Sequence, residues 1–105
     1  MINVEYNADQ VPDSDIEILS AGIRDIVSFV TGIEDVFVYG NSARIKVKIA
    51  PIEIFVSMSA SKVDNLDELF LKIETKLKEW KTEKNFPYPI NLTVIPMNWK
   101  FSTGI

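Results

Sequence analysis

One pattern occurs twice in this chain: an alternating run, a long run of helical periodicity, then another alternating run. In "INVEY", Ile2, Val4 and Tyr6 alternate with Asn3 and Glu5, which predicts a strand from the second residue onward. Ile16, Leu19, Ile23, Ile26, Val27 and Val30 then recur at three- and four-residue spacing, the signature of one buried helical stripe. Val36–Tyr39 and Ala43–Ile49 both suit strands, with Gly40-Asn41-Ser42 as turn chemistry between them. The second unit follows. Ile52, Ile54, Val56 and Met58 share a strand face, and Leu66, Leu69, Phe70, Ile73, Leu77 and Trp80 form a second helical stripe. Pro87 and Pro89 precede a last strand, "INLTVIPMNWKF".

Strand-helix-strand over residues 2–49 is thus matched by strand-helix-strand over 52–101 within 105 residues, a single domain. A crossover between parallel strands is right-handed, so both helices fall on one face of a shared sheet. The predicted fold class is α+β: two βαβ units, a four-stranded mixed sheet and two helices on one face. A ferredoxin-like arrangement fits the same element order. The opposite sheet face is left bare. Phe37, Tyr39, Phe55, Ile95 and Met97 are its expected residues, and that much apolar surface predicts self-association.

Local signals refine the pattern. Ser14 with Glu17 makes a capping box for the first helix, and Gly32 ends it in the left-handed conformation. Asp64 or Asn65 caps the second, where Glu68–Lys72 and Glu74–Lys78 are i,i+4 ion pairs. Ala50-Pro51 interrupts the middle strands, as either a bend or a reversal, because proline donates no amide and restricts its neighbour.

Composition then removes whole classes of chemistry. The chain has no cysteine and no histidine, which excludes disulfides, thiolate metal sites, imidazole bases and His-dependent triads. No metal or other cofactor is expected. Charge is uneven: residues 1–42 carry eight acidic groups and one basic, whereas residues 43–105 carry seven acidic and ten basic. That bias is too mild to track phosphates, so nucleic acid is not an expected partner. No apolar run approaches the ~18 residues of a membrane span, so no membrane partner is expected either and a cytoplasmic location is the default.

The candidate site residues are few. Arg44, Lys46 and Lys48 form a cationic ladder on one predicted strand face, suited to a small carboxylate or phosphate, with Arg44 capable of a bidentate pair. The same ladder also serves to keep a sheet edge soluble, and Glu53 is a possible partner. Tyr6, Tyr39 and Trp99 are candidate pocket walls, or simply sheet packing. The tail, with Trp99 and Phe101, carries enough apolar surface to dock on its own sheet or a neighbour's.

The two βαβ units, the first strand at residue 2 and the segment "VTGIEDVFVYGNSARIKV" resemble the tautomerase superfamily. Within it, the 5-carboxymethyl-2-hydroxymuconate isomerase and macrophage migration inhibitory factor branches are the most similar. A Thr-Gly pair after the first helix, then a turn and an Arg-bearing strand, corresponds to Thr31, Gly32 and Arg44. The resemblance implies a homotrimer with pockets near each first-strand terminus. It also implies an amino-terminal proline acting as general base in keto–enol isomerisation, with arginines holding the substrate carboxylate. Here the residue after Met1 is Ile2, so the proline is missing.

Three readings follow. The first is a tautomerase-like trimer without proline-dependent isomerase activity that binds a small carboxylate or serves only as an assembly. The second is a weak isomerase that uses the Met1 α-amine as its base, lowered in pKa by burial and by Arg44, with Arg44, Lys46 and Tyr39 binding substrate. The third is a ferredoxin-like interaction or ligand-sensing module. Strand order separates the third from the other two.

Overall fold

In the computed structural model, which describes all residues from Met1 to Ile105, the first strand, β1 (Ile2–Tyr6), buries Ile2 and Val4 completely. Their alternation with Asn3 and Glu5 divides the sheet into a helix-covered face and a bare one. Helix α1 (Asp13–Thr31) lays Ile16, Leu19, Ile23 and Val27 on the covered face. Strand β2 (Val38–Ser42) returns parallel to β1, pairing Ile2 with Val38 and Tyr6 with Ser42.

The second unit repeats the first. Strand β3 (Ile52–Ser59) runs antiparallel to β1 and buries Ile52, Ile54, Val56 and Met58. A 3-10 turn (Ala60–Lys62) leads to helix α2 (Leu66–Lys84), and strand β4 (Asn91–Met97) closes the unit parallel to β3. The sheet order is β2-β1-β3-β4. Each parallel pair is adjacent, with no strand inserted, which rules out the ferredoxin-like alternative.

One core of 14 residues joins both units, each fully buried aliphatic side chain contributing about 1.5–3 kcal/mol. The helices meet closely. A Cβ on Gly22 of α1 would lie 2.5 Å from the Trp80 ring of α2, so only glycine permits this approach.

Several expectations are corrected. Helix α1 starts at Asp13 with Pro12 at its cap position and no side-chain cap bond, so the Ser14–Glu17 box does not form. Pro12 has the fixed φ that suits a helix entry, and Ser14 falls inside the first turn. Gly40-Asn41-Ser42 is strand rather than turn, because β1 supplies its ladder partners. Gly40 is also pressed close to Ile16, whose Cγ2 a Cβ there would meet at 3.3 Å.

Residues 43–49 form no strand, and Ala50-Pro51 is no hairpin turn: Pro51 is a bend that ends the connecting segment before β3. The reason is topological. β2 and β3 flank β1 on opposite sides and run in opposite directions, so the chain between them must cross the end of β1. That crossing takes residues 43–51, leaving Ile45 and Val47 at 86% and 98% exposure.

Candidate functional site

Met1 extends the β1–β3 ladder by one residue. Its α-amino group donates to the Ser57 carbonyl at 2.8 Å, and the Ser57 amide donates back to the Met1 carbonyl at 2.8 Å. This antiparallel closed pair fixes the amine at the sheet end. Ser57 is the buried polar residue of the molecule, and its backbone is fully used in that pair. Partial burial of the amine pushes its pKa below the ordinary 8.0, since desolvation disfavours the ammonium form.

Tyr39 sits opposite Asn3, on the bare face, two positions along β1 from Met1. Half of its surface is exposed. Met1 and Tyr39 are therefore neighbours on one sheet end. The cations lie elsewhere. Ser42 pairs with Tyr6, so the loop that carries Arg44, Lys46 and Lys48 leaves the far end of β1, roughly 16 Å away by strand rise.

The expected cationic ladder therefore has no strand beneath it. Lys46 pairs with Asp9 at 3.1 Å, not with Glu53, and this bond ties the loop to the turn after β1. Burial alone, without Arg44, lowers the Met1 amine. Within one copy, the fold sets Met1 and Tyr39 toward one end of β1 and Arg44 and Lys46 beyond the other. Ser57 was not among the expected site residues; a serine in an alternating strand carries no signal of what its backbone holds.

Tyr6, Tyr39 and Trp99 also do not converge. Tyr6 lies on the covered side, its phenol donating to Asp13 at 2.6 Å, a bond that raises its pKa. Trp99 follows β4, at the opposite edge of the sheet from β2. Tyr88 reaches Asp15 in the same manner, donating at 2.8 Å, so both acidic groups near the start of α1 are engaged. No group of three or more acidic side chains gathers to hold a metal ion.

A groove of about 570 Å³ runs between α1 and β2. Ile16, Val36, Phe37 and Val38 form its floor, and Asp13 and Glu17 stand along it. It follows the free edge of β2 rather than enclosing the Met1 amine.

The sequence matches no protein-family model and no curated protein. Solved structures do match. A malonate semialdehyde decarboxylase, described with decarboxylase and hydratase activities, superposes with a TM-score of 0.73 at 9% identity, covering 100% of this chain and 92% of that one. The fold is a tautomerase-like α+β fold.

Other solved structures share this fold. A domain of unknown function from Sebaldella termitidis gives a TM-score of 0.64 at 12% identity, covering 100% of this chain and 98% of that one. A fused 4-OT, an asymmetric trimer, gives 0.65 at 12% identity, covering 92% and 85%. The decarboxylase structures include a form with alanine in place of proline at the first residue. In this chain Met1 precedes β1 and pairs with Ser57.

Proposed function

We propose that this protein is a homotrimer of the tautomerase superfamily that binds a small carboxylate and lacks proline-dependent keto–enol isomerisation. One observation carries the loss of proline-dependent isomerisation. The primary amine of Met1 is held by the Ser57 carbonyl at one end of β1, and the segment with Arg44 and Lys46 leaves the opposite end. A general base needs both an unprotonated atom and an aim within hydrogen-bond reach of the proton it removes. The Met1 amine lacks the ring that fixes the aim of a proline nitrogen. Trimeric neighbours of the same fold support the assembly.

A second reading rests on a specific feature. The amine is held by Ser57 and its pKa is lowered, which favours a weak isomerase with Met1 as base, Tyr39 beside it and Arg44 with Lys46 supplied by another copy. Ultraviolet absorbance of an enol such as that of phenylpyruvate separates the two. The proposal expects conversion close to the uncatalysed rate. A fast reaction, abolished by acetylating the α-amino group and slowed by Arg44→Ala, would overturn it in favour of the second reading.

A further inference from the structure

The bare face at the Met1 end carries hydrogen-bonding groups that the fold leaves unused. Asn3 stands between Tyr39 of β2 and Phe55 of β3, and Met1 stands opposite Ser57, with Ile95 of β4 beyond it. Neither the Asn3 amide nor the Tyr39 hydroxyl makes a hydrogen bond within the chain, whereas Tyr6 and Tyr88 both do. Ser57 is 8% exposed, and its hydroxyl is bonded to nothing in the chain. No side-chain polar atom here is both sealed and without a partner, so that hydroxyl is open on the face.

The Met1 amine completes the set. Its bond to Ser57 uses one N–H and leaves two, and it forms no ion pair, not even with Glu34 or Asp35 ahead of β2. Beside it β3 places Ser57, β2 places Tyr39 and β4 places Ile95, none of them a carboxylate or a cation. Burial alone lowers its pKa, so no acid of the chain already holds the ammonium. Amine and Asn3 lie two residues apart along the strand, roughly 7 Å by strand rise. One carboxylate bridges that span when each oxygen accepts a bond of about 2.8 Å.

The next row of the face is acidic. Two residues past Asn3, Glu5 lies directly opposite Glu53 of β3, and neither carboxylate has an ion pair. Only amides flank them: Asn41 donates to Glu5 at 3.5 Å, and Asn91 pairs alongside Glu53. A second negative group on the same ligand therefore meets two charges of its own sign. Phe55 and Ile95 offer cover to an uncharged, apolar body instead.

Resting on the small-carboxylate reading above, we propose that the Met1 ammonium, with Asn3, Tyr39 and the Ser57 hydroxyl, anchors a monocarboxylate with an apolar body, and that Glu5 and Glu53 turn dicarboxylates away. The amine is then the cation of the site rather than its base, and the site needs neither Arg44 nor Lys46. An anion beside the amine favours its charged form. Binding is accordingly strongest below the amine's pKa and weakens as pH rises through it.

Calorimetric titration of the full chain with benzoate and with terephthalate, at fixed ionic strength, tests this. Benzoate affinity should fall roughly tenfold per pH unit above the amine's pKa. Acetylating the α-amine should abolish binding, and Asn3→Ala should weaken it roughly tenfold. Terephthalate should bind at least roughly tenfold more weakly than benzoate, and Glu5→Gln should narrow that gap.

Benzoate binding that survives acetylation and is lost in Arg44→Ala overturns the anchor and leaves the carboxylate reading intact. Terephthalate binding as tightly as benzoate overturns the exclusion by Glu5 and Glu53. No binding of either acid at any pH removes the carboxylate reading together with this one. Should acetylation disturb β1, the pH profile and Asn3→Ala decide: an affinity that rises with pH, or is indifferent to both, refutes the anchor.

Discussion

At the scale of single residues, Met1 behaves as a strand residue rather than a loose terminus, because Ser57 takes its amine and returns an amide to its carbonyl. The alternation of Ile2, Val4 and Tyr6 made this strand legible in the sequence, and with it the placing of the amine. The distance from Arg44 was not legible, since it depends on which end of β1 the chain crosses. The lowered pKa has a consequence for stability. The folded state holds the proton less tightly than the unfolded chain, whose amine titrates near 8.0. Folding therefore bears a penalty below the folded pKa, and that penalty is relieved as pH rises from the folded value toward 8.0. The urea midpoint should accordingly rise across this window. Acetylating the α-amine should flatten that rise, and competitive acylation should show the amine titrating below a peptide standard. An amine titrating at or above the standard would contradict the burial argument.

Among the elements, the two helices were the most readable, because a 3.6-residue stripe needs only its own segment to declare itself. Ile16, Leu19, Ile23 and Val27 of α1 and Ile73 and Leu77 of α2 are buried as their spacing requires. Both expected ion pairs of α2 form, at 2.9 Å for Glu68–Lys72 and 3.6 Å for Glu74–Lys78. Gly32 takes φ 74° at the end of α1, the left-handed cap. Strands were less readable: alternation records which faces differ, not whether a partner exists, so 43–49 looked like the paired strand it is not within one copy. Caps give a direct contrast. Asn65 accepts from the Glu68 amide at 3.0 Å, whereas Ser14 makes no cap bond. Asn65→Ala should cost about 1 kcal/mol, read from urea midpoints. Ser14→Ala should stay within about 0.5 kcal/mol. A large loss for Ser14→Ala would restore the capping box that the fold replaces with Pro12.

For the whole molecule, the sheet order β2-β1-β3-β4 turns two local repeats into one surface with a covered face and a bare one. The repeat predicted the covered face; only the antiparallel β1–β3 junction decided which strands became edges. No helix is long and apolar enough to cross a membrane. The bare face holds Tyr39, Phe55, Ile95 and Met97 among polar neighbours, and beyond β4 the tail adds Trp99, Phe101 and Ile105, at 42%, 83% and 105% exposure. Residues 98–105 form no helix or strand, and the core contains none of them. Their removal therefore exposes little that the single copy had buried. In an assembly the same apolar groups find cover against a neighbouring copy, and their loss acts on association instead. Truncation after Met97 should leave helical circular dichroism and the urea midpoint of the dissociated chain unchanged, while raising the concentration at which the oligomer falls apart. Sedimentation of the truncated and full chains over a dilution series measures this directly. Equal dissociation midpoints would show that the tail contacts no neighbour, and a loss of helicity would show that it docks on its own sheet.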